Sequence, residues 1–120
     1  MLIQENFRRA TAELIILHLL LEEDLYGYQV VQKISDCSYG LYTLPEGTLY
    51  PIMYRLISKG LVCEYNRMIN KRMRKYYHIE ECGRSYYDTM LRDYKSITMG
   101  ILKILNLEEE GDNNDQTTII

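Results

Sequence analysis

Seven basic side chains fall between positions 55 and 75: Arg55, Lys59, Arg67, Lys71, Arg72, Arg74 and Lys75, against Glu64 alone. That stretch holds an excess of six positive charges in a chain of net charge −3, so the remainder carries nine excess negatives. A polyanion would meet one positive region on an otherwise acidic body, and a local field of that kind steers a ligand to one face. Just upstream, Thr48, Tyr50 and Tyr54 offer hydroxyls and Pro51 an apolar ring. Hydroxyl and guanidinium donors gathered in this way suit phosphate oxygens and base edges. The chemistry open to these residues is therefore the binding of nucleic acid.

Other chemistries lack their residues. His18 sits in an apolar run and His78 in a β-prone one, and both read as structural. No nucleophile motif, metal-ligand cluster or phosphate-cradling glycine loop accompanies them, so neither an enzyme nor a metal or other cofactor is expected. Cys37, Cys63 and Cys82 are odd in number and lack CxxC spacing, which argues against a disulfide framework and a zinc site. They are expected as buried or half-buried thiols. Cys82 stands apart because it falls near an expected helix start, where the dipole favours thiolate and opens a redox role. The longest apolar run, Leu14–Leu21, contains His18 and stops at Glu22-Glu23-Asp24. It is short of the roughly 18 residues a membrane span needs, and Glu5 and Glu13 before it do not suit a signal peptide. A cytoplasmic protein with no membrane partner is expected.

Positioning the basic and hydroxyl groups requires a scaffold, and 120 residues with 47% hydrophobic content suffice for one core. A first helix is signalled from Thr11 through Glu13 and Leu14-Ile15-Ile16-Leu17, apolar nearly all round and hence covered on more than one side. Tyr26-Gly27-Tyr28 opens a second, with Tyr28, Val31 and Ile34 on one face beside Val30, and it ends in Ser35–Gly40. A third follows Leu44-Pro45-Glu46-Gly47, with Thr48 as N-cap, Pro51 in the first turn, Leu49, Met53 and Leu56 inward, and Gly60 at its exit. Thr48, Tyr50, Pro51, Tyr54 and Arg55 are left for its outer face.

After Gly60 the period changes. Residues 61–65 and 75–79 are β-prone and flank a basic stretch, Asn66 to Arg74, which reads as a hairpin with a long tip carrying Arg67, Lys71, Arg72 and Arg74. The last helix runs from about Glu81 to Asn106. Tyr87, Met90 or Leu91, Tyr94, Ile97, Ile101 and Ile104 or Leu105 recur at spacings of three and four. At 1.5 Å per residue it spans nearly ~40 Å, too long for a three-helix domain to cover, and its heptad seam asks for a partner helix.

The fold class is mainly α with a small β-hairpin: a winged helix-turn-helix over residues 1–80, a C-terminal dimerisation helix over 81–106, and a disordered acidic tail over 107–120. Duplex DNA suits this order, because the B-form major groove admits one helix. The third helix would enter it while the basic hairpin lies on the adjoining backbone or minor groove. The rival reading is a winged-helix module that binds only another protein, and the acid-free hairpin tip speaks against it.

These residues also resemble the PadR-like family of bacterial regulators. The match is carried by Gly47-Thr48-Leu49-Tyr50-Pro51 through Arg55-Leu56 to Gly60-Leu61, joined by Tyr26-Gly27-Tyr28, Arg74-Lys75-Tyr76-Tyr77-His78-Ile79 and Gly83. It covers roughly residues 10 to 105, and the short final helix is similar to that of the family's smaller branch. The resemblance implies a homodimeric repressor on a pseudo-palindromic operator, dimerised through its last helix and released by a small aromatic or drug-like effector. In some members aromatic compounds bind between first and last helices, which by position implies a pocket at Leu14, Leu17, Met90 and Tyr94. Glu80 stands where the family commonly has Thr. The chain has no Trp, so a stacking platform would have to come from Tyr94.

Overall fold

The computed structural model describes residues 2–107, which run α1 (Leu2–Leu20), β1 (Leu25–Tyr26), α2 (Gly27–Cys37), α3 (Glu46–Ser58), β2 (Val62–Ile69), β3 (Arg72–Ile79) and α4 (Glu81–Leu105). The three helices, the hairpin and the long last helix are all present. The strands form one antiparallel sheet in the order β1-β3-β2. The chain divides into two compact units, 1–87 and 88–120. The first seven residues of α4 thus belong to the winged domain rather than ending it at 80. Gly83 and Tyr87 are buried there, and the Tyr87 hydroxyl shares a 2.7 Å hydrogen bond with His18 Nδ1. The acidic segment 108–120 lies outside the described residues.

The core of the first unit is Ile16, Leu17 and Leu20 of α1, Val30 and Ile34 of α2, Leu49, Ile52, Met53 and Leu56 of α3, and Val62, Tyr77 and Ile79 of the sheet. Each large aliphatic side chain buried there contributes roughly 1.5–3 kcal/mol. The inward face expected of α3 is confirmed and gains Ile52. In α2 the face is rotated: Gly27, Val30 and Ile34 are buried, whereas Tyr28 is 55% exposed.

Three boundaries moved, each for a local reason. Helix α1 starts at Leu2 rather than near Thr11, which lies mid-helix and donates its hydroxyl to the Phe7 carbonyl one turn back (2.8 Å). Helix α3 starts at Glu46, with extended Pro45 at the N-cap position, and the backbone N–H groups of Thr48 and Leu49 both donate to the Pro45 carbonyl at 3.0 Å. Thr48 is therefore in the third helical position rather than the cap. Pro51 lies inside the helix and leaves the Gly47 carbonyl without its usual i+4 donor. The hairpin has no long tip. Its strands run on to Ile69 and Arg72, joined by Asn70 and Lys71, both left-handed at φ 49° and 64°. Two such residues make a type I′ turn, whose twist matches the strands. Lys71 in place of the usual glycine hid it.

Helix α3 ends as expected. Gly60 adopts φ 77°, its N–H bonds the Ile57 carbonyl (2.9 Å), and the Leu61 N–H bonds the Leu56 carbonyl (3.0 Å). This is the Schellman arrangement, with Leu61 and Leu56 both buried.

Candidate nucleic-acid interface

With Leu49, Ile52, Met53 and Leu56 turned inward, the helical period sets Gly47, Pro51, Tyr54 and Ser58 on the opposite face of α3, all of them exposed. Tyr54 is 71% exposed and Tyr50 45%. Gly47 and Ser58 were not picked out from the sequence, where small residues carry no charge signal. The periodicity alone would have found them.

The flanks of α3 are tied to neighbours. On one side Tyr50 donates to Glu46 (3.3 Å) and lies across Gly27 at the start of α2, where a Cβ would stand 2.5 Å from its hydroxyl oxygen. Gly27 is thus the space that Tyr50 occupies. Burial, with the Glu46 carboxylate beside it, pushes the Tyr50 hydroxyl above its ordinary pKa. On the other side Arg55 Nε lies 3.8 Å from Glu13 of α1, and Lys59 Nζ lies 3.2 Å from the same carboxylate. Arg55, expected to be open to a phosphate, is half exposed and also lies beside Glu13. The exposed face of α3 therefore carries little positive charge of its own.

The positive charge is on the hairpin. The register pairs Arg67 with Arg74, Met68 with Met73 and Ile69 with Arg72, while Lys71 sits in the turn. Among the described residues no carboxylate comes within 4 Å of Arg67, Lys71, Arg72 or Arg74, whereas Lys75 lies 3.7 Å from Glu64. Arg67 and Arg74 rest on aromatic rings, Tyr76 at 4.9 Å and Tyr26 at 4.4 Å. At the base of the hairpin, Asp24 accepts from the Tyr65 hydroxyl (2.6 Å) and from His78 Nδ1 (2.7 Å). Burial pushes the Asp24 carboxyl up, but these bonds outweigh it and hold the carboxyl below its ordinary pKa. His78 is thus engaged in tying the sheet to the α1–β1 turn, consistent with its structural reading.

Two of the thiols, Cys37 and Cys82, are exposed and so less buried than expected, whereas Cys63 is half-buried as expected. Cys63 bonds the Glu80 carboxylate, which together with burial and the Glu80 and Asp24 charges pushes its thiol up to about 11. Cys82 donates to the Gly60 carbonyl at 3.0 Å. Among the described residues no three His, Cys, Asp or Glu side chains could hold a metal ion, and no helix is long and apolar enough to cross a membrane.

Residues expected on the dimer seam divide. Tyr87 is buried in the first unit, Met90 and Leu91 are half-buried, and Tyr94, Ile97, Ile101 and Ile104 are exposed, Ile104 at 83%. Of the residues named for a ligand pocket, Leu14 and Leu17 are buried in the first unit, Leu17 completely. A ligand could not touch Leu17 without opening that core. Met90 and Tyr94 belong to the second unit.

Known proteins share this architecture. The chain is 30% identical over 111 residues to Uncharacterized protein X of Lysinibacillus sphaericus, covering 92% of this chain and 98% of that protein. It is 34% identical over 80 residues to Transcriptional regulator Rv3488 of Mycobacterium tuberculosis, covering 67% and 72%. A transcriptional regulator from Clostridium thermocellum superposes with TM-score 0.76 at 32% identity, over 82% of this chain and 96% of that one. Bacillus subtilis PadR in complex with operator DNA shares the fold, with TM-score 0.62 at 20% identity over 68% of this chain and 45% of that one. The profile of the Transcriptional regulator PadR-like family matches residues 16–89, which include α2, α3, the whole hairpin and the start of α4. Most of the winged domain, from the end of α1 through the charged hairpin, thus lies inside the matched region, and the chain belongs to the PadR-like family of transcriptional regulators, not to a family of enzymes.

Proposed function

We propose that the chain is a homodimeric repressor that binds a pseudo-palindromic operator, each protomer setting α3 in the major groove and the β2–β3 hairpin on the neighbouring backbone or minor groove. The observation that carries this reading is the set of hairpin cations Arg67, Lys71, Arg72 and Arg74, with no carboxylate in ion-pair reach among the described residues, beside a helix whose outer face is nearly uncharged. Such a division suits DNA, since cations on phosphate supply affinity and short polar or apolar side chains read base edges. The operator complex of Bacillus subtilis PadR, with the same fold, supports it. Dimerisation is supported by the exposed stripe Tyr94, Ile97, Ile101 and Ile104 on α4. Release by a small aromatic or drug-like effector is supported by the family resemblance, with Met90 and Tyr94 as the contacts left to it. The repressor would act in the cytoplasm, where the chromosome lies.

Titration against a duplex of its own promoter at two salt concentrations tests the reading. Nanomolar-range affinity that falls steeply with salt is expected, with a slope set by several neutralised phosphates. Absent or salt-insensitive binding would leave the protein-interaction reading instead. Replacing Arg72 and Arg74 together by Ala is expected to weaken binding to all sequences alike and to flatten the slope by about two. Unchanged affinity would mean that the hairpin does not touch DNA.

Lys71 gives a second check in which stability and binding separate. A lysine at φ 64° costs roughly 1 kcal/mol that glycine would not. Lys71→Gly is therefore expected to raise the thermal midpoint by a few degrees while weakening duplex binding by about one phosphate contact. A variant that binds as tightly as the parent would show that the turn stands clear of the backbone.

A further inference from the structure

Tyr26, Tyr76 and Tyr65 form a row across all three strands of the sheet, since Tyr26 pairs with Tyr76 and Tyr65 with Tyr76 in the register. The rings are in contact: Tyr26 meets Tyr76 edge to face at 5.4 Å, and Tyr65 stacks on Tyr76 at 5.8 Å. The next row on the same face, two residues towards the hairpin tip, is the directly opposed pair Arg67 and Arg74. Like charges facing each other across two strands ordinarily repel. Here each arginine reaches one strand over in the same direction. Arg67 on β2 lies over Tyr76 on β3, and Arg74 on β3 lies over Tyr26 on β1. The two guanidinium groups are thereby drawn over different rings, with no carboxylate in ion-pair distance among the described residues, and Arg67 also donates to the Tyr65 hydroxyl. The tyrosine row is fixed in turn, because Tyr76 is buried and the Tyr65 hydroxyl is bonded to Asp24.

We infer that Tyr26 and Tyr76 are positioning residues for DNA binding: they hold Arg74 and Arg67 as a preset two-pronged clamp for backbone phosphate. This rests on the DNA-binding reading above. A guanidinium held over a ring face still has N–H donors to offer a phosphate, and its rotamer freedom is already spent before binding. The ammonium of a lysine has no plane to stack and no fork to present. The two-residue strand β1 acquires a purpose here, as it brings Tyr26 to the sheet. Tyr26 and Tyr76 need not touch DNA to matter.

The test is a mutant cycle in the full chain, read as duplex affinity and salt slope, with a thermal melt of each variant. Tyr26→Leu is expected to weaken binding about three- to tenfold, Tyr26→Phe to leave it unchanged, and Arg74→Lys to lose about as much as Tyr26→Leu. In the Tyr26→Leu background, Arg74→Lys should then cost less than it does in the parent, because the ring that presets the guanidinium is gone and only its fork still distinguishes the two cations. Wild-type affinity in Tyr26→Leu, or losses that multiply in the double variant, would overturn the clamp while leaving DNA binding intact. A wild-type protein that binds no duplex would overturn both. Should Tyr26→Leu fail to fold, Arg74→Lys decides alone: full affinity with lysine would show that planarity and stacking are not used.

Discussion

Gly83→Ala is expected to destabilise the protein by about 2–4 kcal/mol, lowering the thermal midpoint by roughly 10–20 °C at fixed protein concentration. On propensity alone the change should help, since alanine within a helix is favoured over glycine by close to ~1 kcal/mol. Packing reverses the sign. A Cβ at position 83 would stand 2.2 Å from the Leu61 carbonyl oxygen and 2.9 Å from Ile79 Cγ1. That oxygen cannot swing aside, because it belongs to the backbone of a buried residue and accepts the Glu80 N–H at 2.9 Å. Either the first turn of α4 lifts off the α3–β2 connection or that hydrogen bond breaks. Gly27 makes the contrast, because the atom a Cβ would meet there is the tip of a half-exposed tyrosine, which can move. Urea or thermal unfolding decides the matter, and a shift under about 3 °C would mean the turn relaxes at little cost.

Tyr94→Glu is expected to separate the dimer and, with it, to weaken binding to the full operator by about two orders of magnitude or more. Tyr94 is 40% exposed, so the single chain tolerates a carboxylate there and folding should change by no more than about 0.5 kcal/mol. In a helix–helix seam the same carboxylate would be buried without a partner, at a cost of several ~kcal/mol. Two linked half-sites bind with the second contact made at high effective concentration, an advantage of about 10²- to 10⁴-fold that a monomer forfeits. Light scattering and operator titration read the two effects separately. A variant that stays dimeric would move the seam away from Tyr94. A monomer with undiminished operator affinity would uncouple dimerisation from binding.

Much of the scaffold is legible in the order of residues. Leu49, Met53 and Leu56 face inward because burial at helical period leaves no other face for them. Gly60 ends α3 because its φ of 77° is one that other residues resist. The concentration of charge between Arg55 and Lys75 is likewise a property of the sequence. These features depend on neighbours within a turn or two of the chain, and local physics suffices to predict them.

What the basic cluster amounts to was decided only by tertiary structure. Composition counts Arg55, Lys59 and Lys75 with the rest, yet Glu13 lies near the first two, 42 and 46 residues away in sequence, and Glu64 is across the sheet from the third. Screening by a carboxylate on another element depends on distance in space, which no local pattern encodes. The long basic tip became two paired strands for a related reason: backbone pairing of Arg67 with Arg74 offsets a turn that lacks its usual glycine. Pairing also brought the tyrosine row beneath those arginines, from three strands whose tyrosines are up to fifty residues apart. The sequence by itself determined that a positive region follows the third helix. Only the fold selected four hairpin cations that have no carboxylate within ion-pair reach among the described residues, and set two of them over tyrosine rings.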